Sequence, residues 1–488
     1  MVMRPHIELL DAELIGRVMD EALELLSSPG VRIESPAARR ALESVGARLE
    51  GEVAHIPEAV VRQALAGTPR SFALYTRAGE PAVQYGGPAV HFDPGSCAVH
   101  VLDPLTPDHR PSVSADLVRL VHVAEMLPAY DAQSTAVVCH DVPESMGDVY
   151  RLFLVLLHSA KPVVTGAFRV DGVPRMAELL ALDSGGSQAL RVRPRAVFDV
   201  CPSPPLRWTE FAGQNLVDLA AAGIPAQIVS MPLAGATAPV TLLGAVVQHA
   251  AECLSGVVIH QAVCPGAPLV WGGAPAIFDM RTASTPMGAI ETAMIDIAYT
   301  QVGKHLGLPT HAYLGASDAK SLDAQSGWES GISAVLGALA GINMISGAGM
   351  LDFLACQSAE KLVLDAEAIG MARRLTAGIA VRQESLAAGT FAKVGLAAEF
   401  LKLRETRDLF RLEQYLPSPV TDRGSLRAWV EGGRRSAAEA ARDRVQSLLQ
   451  SYRPPALDPQ IEAGLRDWMA HVAAGAGLDR LPGADPRA

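Results

Sequence analysis

Residues 310–352 read THAYLGASDAKSLDAQSGWESGISAVLGALAGINMISGAGMLD. An apolar run, His311 to Leu314, ends in the polar loop Gly315-Ala316-Ser317-Asp318-Ala319-Lys320. A helix is expected next, because Trp328, Ile332, Val335, Leu336 and Leu339 recur at the spacing of one helical face. Gly341 stops it, a second apolar run follows, and Ser346-Gly347-Ala348-Gly349 closes that run. Strand, polar loop, helix, strand and glycine loop make a βαβ unit. Its strands must be parallel, which puts both loops on one rim. That rim, at the carboxyl ends of the strands, is where parallel folds keep their chemistry.

Outward from this unit the same rhythm recurs. Six further strand candidates stand at Val90–Phe92, 134–140, 163–168, 196–201, 226–231 and 269–272, which with 311–314 and 342–346 of this unit make eight, and 90–92 can pair with 99–102 as a hairpin. Amphipathic helices are expected between them, the first opening on Ser114 as N-cap and others near 144–160, 171–183, 208–222, 240–263, 286–307, 323–340 and 358–382. Eight such units over about 290 residues match a (β/α)8 TIM barrel, an α/β fold. An open doubly wound sheet would also alternate, yet no G-x-G-x-x-G or G-x-x-x-x-G-K-[ST] follows an early strand. The expected division is a helical N-terminal segment over 1–75, the catalytic barrel over 76–395 and a helical C-terminal extension over 396–488, with one long helix at 426–450.

The 488 residues are 49% hydrophobic and 19% charged, a well-buried globular composition, and carry a net charge of −11. No basic stripe offsets that acidity, so nucleic acid is excluded as a partner. No apolar segment of membrane-spanning length escapes charge or proline, and MVMRPHIELLDAEL lacks a signal-peptide core, so the expected compartment is cytoplasmic. The six cysteines stand singly with no C-x-x-C pair, which reads as buried thiols, and no metal site is expected.

The strand ends hold the candidate chemistry. Repeated Gly and Ala at 166–167, 234–236, 272–274 and 347–349 leave backbone open to a broad flat ligand, although each could equally make only a tight turn. The polar groups expected on the rim are His140, Asp141, Glu210, Asp318, Lys320, Gln325, Glu329 and Asp352; the aromatic ones are Phe168, Trp208, Phe278, Trp328 and Phe353. Carboxylates beside aromatic faces suit a quaternary ammonium cation. The acids can also serve as helix caps or ion-pair partners, and Trp328, on the apolar stripe of its helix, is expected in the core. Asp365 and Glu367 read as structural.

ALELLSSPGVRIESPAARRALESVGARLEG near the N-terminus, FALYTRAGEP, GASDAKSLDAQSGWE, ISGAGMLD, SAEKLVLDAE and LPSPVTDRGSLRAWVEGG together resemble the trimethylamine methyltransferase family of cobalamin-dependent methyltransferases. The segments run from end to end in the family's order; a departure is Leu403-Arg404-Glu405-Thr406, where many relatives have a His-Thr pair. The resemblance implies a barrel whose mouth receives the cobalamin of a separate corrinoid protein, and transfer of a methyl group from a methylated amine to Co(I), giving methyl-Co(III). It marks Asp318, Lys320, Asp323, Gln325, Glu329, Gly347 and Gly349 as family positions without assigning roles. Members with pyrrolysine are thought to use it to activate the amine. The ordinary residues throughout this chain point instead to a quaternary amine such as glycine betaine, carnitine or proline betaine. On this basis Asp318, Gln325 and Glu329 are the candidate catalytic groups. Phe278, His140, Phe168, Trp208 and Asp352 are candidates for holding substrate, and Gly235, Gly272, Gly273, Gly347 and Gly349 for facing the corrin. A homo-oligomer is expected. The competing readings are a TIM-barrel lyase or decarboxylase built on Lys320, and a relative that binds amines without catalysis.

Overall fold

In the computed structural model, which describes residues 4–106, 108–397, 399–478 and 480–483, eight parallel strands close on themselves. They are β1 His91–Pro94, β2 Gln133–Ser134, β3 Val163–Gly166, β4 Ala196–Val200, β5 Ala226–Ser230, β6 Leu269–Gly273, β7 His311–Ala312 and β8 Met344–Ala348. Strands β2 to β6 pair in sequence order, β6 meets β7 through Trp271 and Thr310, β7 pairs with β8, and β8 pairs with β1. Asp131 N–H donates to the Phe92 carbonyl, and Ala98 bridges Val137, which closes β1 against β2. This is the expected TIM barrel. Around it lie α1 Ser114–Met126, α2 Gly147–His158, α3 Gly172–Ser184, α4 Glu210–Ala222, α5 Leu242–Val263, α6 Ile290–His305, α7 Ala324–Leu339 and α8 Ala359–Thr376. Helix α5 is long and apolar enough to cross a membrane by length and composition, but 83% of its apolar window is buried inside the protein. It also carries the buried Glu252.

The bottom of the barrel is plugged by a hairpin, residues 72–85, whose Leu74, Val83 and Tyr85 pack on Ala132, Val164, Val197, Val270 and Met344. With one end filled, access to the interior is left to the loop-bearing end.

Several local expectations are corrected. The segment 100–102 pairs with 109–111 and with Cys356–Gln357 rather than with β1. Ser114 is the first residue of α1 and not its N-cap; its hydroxyl donates to Asp141 at 2.9 Å. Ahead of that hairpin the N-terminal segment contains the short strands Val31–Ile33, Arg48–Glu50 and Val53–His55 as well as helices, and Val31–Ile33 pairs with Arg207–Trp208 from the barrel. Residues 426–450 form two helices, Leu426–Glu431 and Ala437–Ser451, because Gly432-Gly433 interrupts them. Helix α7 faces inward with its small residues, Ser330, Ser333, Ala334 and Gly337, and Trp328 is 57% exposed. A Cβ on Gly337 would stand 2.9 Å from Ile345, so the helix packs too close for large side chains on that face; of the apolar stripe, Trp328 and Ile332 turn outward while Val335 and Leu336 stay half-buried against the core.

Candidate functional site

Side chains alternate along a strand, so every second residue of the barrel points into its lumen. TIM-barrel lumens are normally packed with branched apolar side chains. Here the middle layers are polar. Tyr313, just past β7, donates its hydroxyl to Asp199 of β4 at 3.0 Å, and Gln227 of β5 donates its amide to the other Asp199 oxygen at 2.6 Å. The plug contributes Tyr85, whose hydroxyl donates to Gln227 at 3.3 Å. Asp93 of β1 accepts from Ser346 of β8, while among the described residues its second oxygen has no hydrogen-bond partner; nor has either ring nitrogen of His311, which stands 5.1 Å from the Tyr313 ring. Gly272 makes room for that imidazole, since a Cβ would meet His311 Nδ1 at 2.9 Å.

Burial dominates the protonation of this group. It pushes the Asp199 carboxyl up to about 7, against the hydrogen bonds from Tyr313 and Gln227 that favour the charged form. It raises Asp93 well above the usual carboxylate range, and desolvation lowers His311 to about 3, so its imidazole is neutral at physiological pH. Asp199 is nevertheless half-buried rather than fully buried, as are Cys97, Cys201 and Met231 nearer the mouth. Above it, Val229, Ala274, Ala276, Met287 and Tyr313 form an apolar collar, against which Cys201, Met231, Leu233 and Leu354 pack.

The three expected catalytic groups are brought together beside this collar, in a clasp between two loops. Asp318 accepts from the backbone N–H groups of Met287 and Gly288, each at 2.9 Å. Glu329 Oε2 accepts from Ser317 Oγ at 2.6 Å and Asp318 N–H at 2.8 Å, and Gln325 donates to its other oxygen at 2.9 Å. Gly288 leaves room for this carboxylate, since a Cβ there would fall 2.6 Å from the Glu329 carboxyl carbon. Burial raises Asp318 to about 6, opposed by the two backbone donors and helped by Glu329. With their oxygens occupied by donors of this chain, these groups position the loops after β6 and β7.

The remaining candidates scatter. Phe278 is half-buried in the loop after β6, its N–H on the Ala234 carbonyl. Phe168, 53% exposed, lies with its ring 5.1 Å from the buried Arg151 guanidinium. Asp352 stands 3.5 Å from Lys320 and 3.7 Å from His109. His140 is exposed against the Ser112 carbonyl, outside the lumen. Trp208 leaves the rim altogether: it is fully buried under the N-terminal strands and donates its indole N–H to Ser255 of α5. Gly273, Gly347 and Gly349 are close-packed, their absent Cβ positions lying within 2.6 Å of His249, the Leu314 carbonyl and Gln357 respectively; Gly235 faces Met280 at ordinary contact. Exposed Phe168, Val170, Val240 and Met280, from the loops after β3, β5 and β6, leave an apolar rim.

Asp93 and Asp199 were absent from the expected set. Their signal was available: in HFDP and AVFDV a lone carboxylate interrupts an apolar strand at a position that must be buried.

A family model described as trimethylamine methyltransferase (MTTB) matches residues 2–477. The chain belongs to the trimethylamine methyltransferase family. It is 30% identical over 458 residues to trimethylamine methyltransferase MttB of Desulfitobacterium hafniense strain DSM 10664 / DCB-2, covering 93% of this chain and 92% of that one. It is 32% identical to trimethylamine methyltransferase MttB of Methanosarcina thermophila, covering 95% and 97%. Glycine betaine methyltransferase of D. hafniense strain Y51 is 27% identical over 468 residues, covering 96% and 97%. Among solved structures, monomethylamine methyltransferase (MtmB) of Methanosarcina barkeri superposes with a TM-score of 0.54 at 12% identity, over 91% of this chain and 89% of that one; this likeness is one of fold. As a member of the MTTB family the chain is a methyltransferase.

Proposed function

We propose that this enzyme takes a methyl group from a small quaternary or tertiary methylated amine bound in the barrel lumen. The acceptor is proposed to be the corrinoid of a cognate partner protein docked on the rim. The observation that carries the reading is the Asp199–Tyr313 pair, a half-buried carboxylate held by a buried aromatic residue inside an otherwise closed barrel. A permanent ammonium cation fits such a pair by charge and by cation–π attraction. Names of the relatives support the substrate class: trimethylamine for two of them, glycine betaine for another.

A Co(I) corrinoid would supply the nucleophile, and the exposed apolar rim suits both its flat ring and a partner's surface. Displacement at a methyl carbon needs alignment of nitrogen, carbon and acceptor, and the exclusion of water. Asp199 and Tyr313 would hold the nitrogen end. The collar of Val229, Met287 and Leu354 would keep the methyl face dry. The clasp of Asp318, Gln325 and Glu329 would fix the loops that carry Met287, and Phe278, Phe168 and Asp352 would meet substrate or partner at the entrance. A neutral amine leaves a quaternary donor, so no acid is required at that step.

Free cob(I)alamin, followed by its visible spectrum while glycine betaine, carnitine, tetramethylammonium and trimethylamine are added in turn, tests the reading. Amine-dependent methylation of the cobalamin, lost in Asp199→Asn, is the expected result. Methylation unaffected by that substitution would overturn the assignment of the lumen.

A further inference from the structure

Between the hairpin strands Met350–Leu351 and Cys356–Gln357, Asp352, Phe353 and Leu354 follow one another at φ of 50°, 56° and 69°. Ala355 N–H closes the turn on the Asp352 carbonyl at 2.9 Å. None of the three is glycine. L-residues avoid the left-handed region because Cβ crowds the following carbonyl, and a run of them persists only where the surroundings over-determine it. Here they do. Asp352 N–H donates to the Ala319 carbonyl at 3.0 Å, its carboxylate is flanked by Lys320 and His109, and Lys320 Nζ lies 3.8 Å from the Phe353 ring centroid. Both ends of the clamp belong to the rim: the loop after β7 and the loop after β8.

The strained turn has one consequence inside the barrel. It directs Leu354 into the collar, against the cluster of Val229, Ala274, Met287 and Tyr313, and Tyr313 is the residue that binds Asp199. A relaxed hairpin would not need three left-handed residues in succession. We propose that Leu354, presented by this turn, is the specificity-determining wall of the amine site and limits it to nitrogen centres bearing methyl groups. The inference rests on the reading of the lumen as that site. A wall of this kind discriminates by the carbons that collide with it, and one methylene against a packed apolar surface is worth roughly tenfold or more in affinity.

Titration calorimetry of the purified chain with tetramethylammonium and tetraethylammonium tests it without requiring turnover. Wild type is expected to favour tetramethylammonium. Leu354→Ala should move the ratio of the two affinities toward tetraethylammonium by about tenfold, and Leu354→Met, which keeps the volume, should leave the ratio as in wild type. If the alanine variant does not fold, Leu354→Cys carries the same expectation with more apolar bulk retained. An equal change in both affinities, or none in either, overturns the wall while leaving the amine site standing. Wild type that binds neither cation removes the amine site and the wall with it.

Discussion

Asp199→Asn separates what this carboxylate does for binding from what it does to the fold. Folding raises its pKa from 3.8 to about 7, chiefly by burial. Between roughly pH 4 and pH 7 the folded chain therefore binds a proton that the unfolded chain has released. The associated stability is complete below the lower value and gone above the upper one. At 1.36 kcal/mol per unit, keeping the group ionised at pH 8 works against folding by about 4 kcal/mol. Solvent contact in the lumen and the loss of a charge-assisted bond from Tyr313 reduce the gain from removing that charge to about 2 kcal/mol. Asparagine closely resembles the protonated acid, so below about pH 3.8, where the group is protonated in both the folded and the unfolded wild type, the two proteins should be about equally stable, and at pH 5 the variant should already hold roughly a third of its lead. Thermal or urea unfolding across this range reads this directly: the variant more stable than wild type at pH 8, by a smaller margin at pH 5, and indistinguishable near pH 3.5. Calorimetry at pH 8 should show its tetramethylammonium affinity lowered at least tenfold. A variant that is less stable than wild type at pH 8, or whose lead does not shrink as the pH falls toward 3.5, would refute the claim that a buried charge in the lumen is held against the fold.

Wild-type affinity for tetramethylammonium should rise with pH and level off above about 7, because binding the cation favours the ionised carboxylate whose free pKa lies there; a flat profile from pH 5.5 to 8.5 would count against Asp199 as the anion. Glu329→Gln should retain activity within a few fold, since an amide oxygen can still accept from Ser317 and Asp318, whereas Glu329→Ala strands both donors and should lower stability by about 1–3 kcal/mol. Loss of turnover in the glutamine variant at unchanged stability would make Glu329 a catalytic acid or base instead. Lys361→Met leaves the buried Asp365 without its 2.5 Å partner and should cost about 3–5 kcal/mol in urea unfolding; Asp365 also receives the Gly349 N–H, so the glycine loop after β8 should loosen with it.

The barrel was legible because its strands announce themselves twice, by apolar runs and by the Gly and Ala that end them. All eight were placed, even β7, which has only two residues in ladder geometry. What misled the reading was distance. The apolar stripe of α7 looked like a core face, but the helix approaches β8 through Gly337 and Ser333, and only a three-dimensional separation decides that small residues go inside. Trp208 failed for a related reason: two residues from the Arg207–Trp208 segment join a sheet begun by Val31–Ile33, a pairing no local pattern encodes.

The candidate site was hidden by the expectation that the chemistry sits on the loops at the strand ends. Asp318 and Glu329 sit on a polar, motif-like stretch and turned out to be bonded to their own neighbours, while Asp93 and Asp199 sit inside strands that otherwise read as core. A buried acid opposes folding, and so does a succession of left-handed residues; both are features that packing alone would remove. Asp199, the unpartnered oxygen of Asp93, the unpartnered imidazole of His311 and the turn bearing Leu354 lie in or over the same lumen. Such costs concentrated in one place are what the proposed cation site would use: a charge held ready, an aromatic face beside it, and a dry wall above.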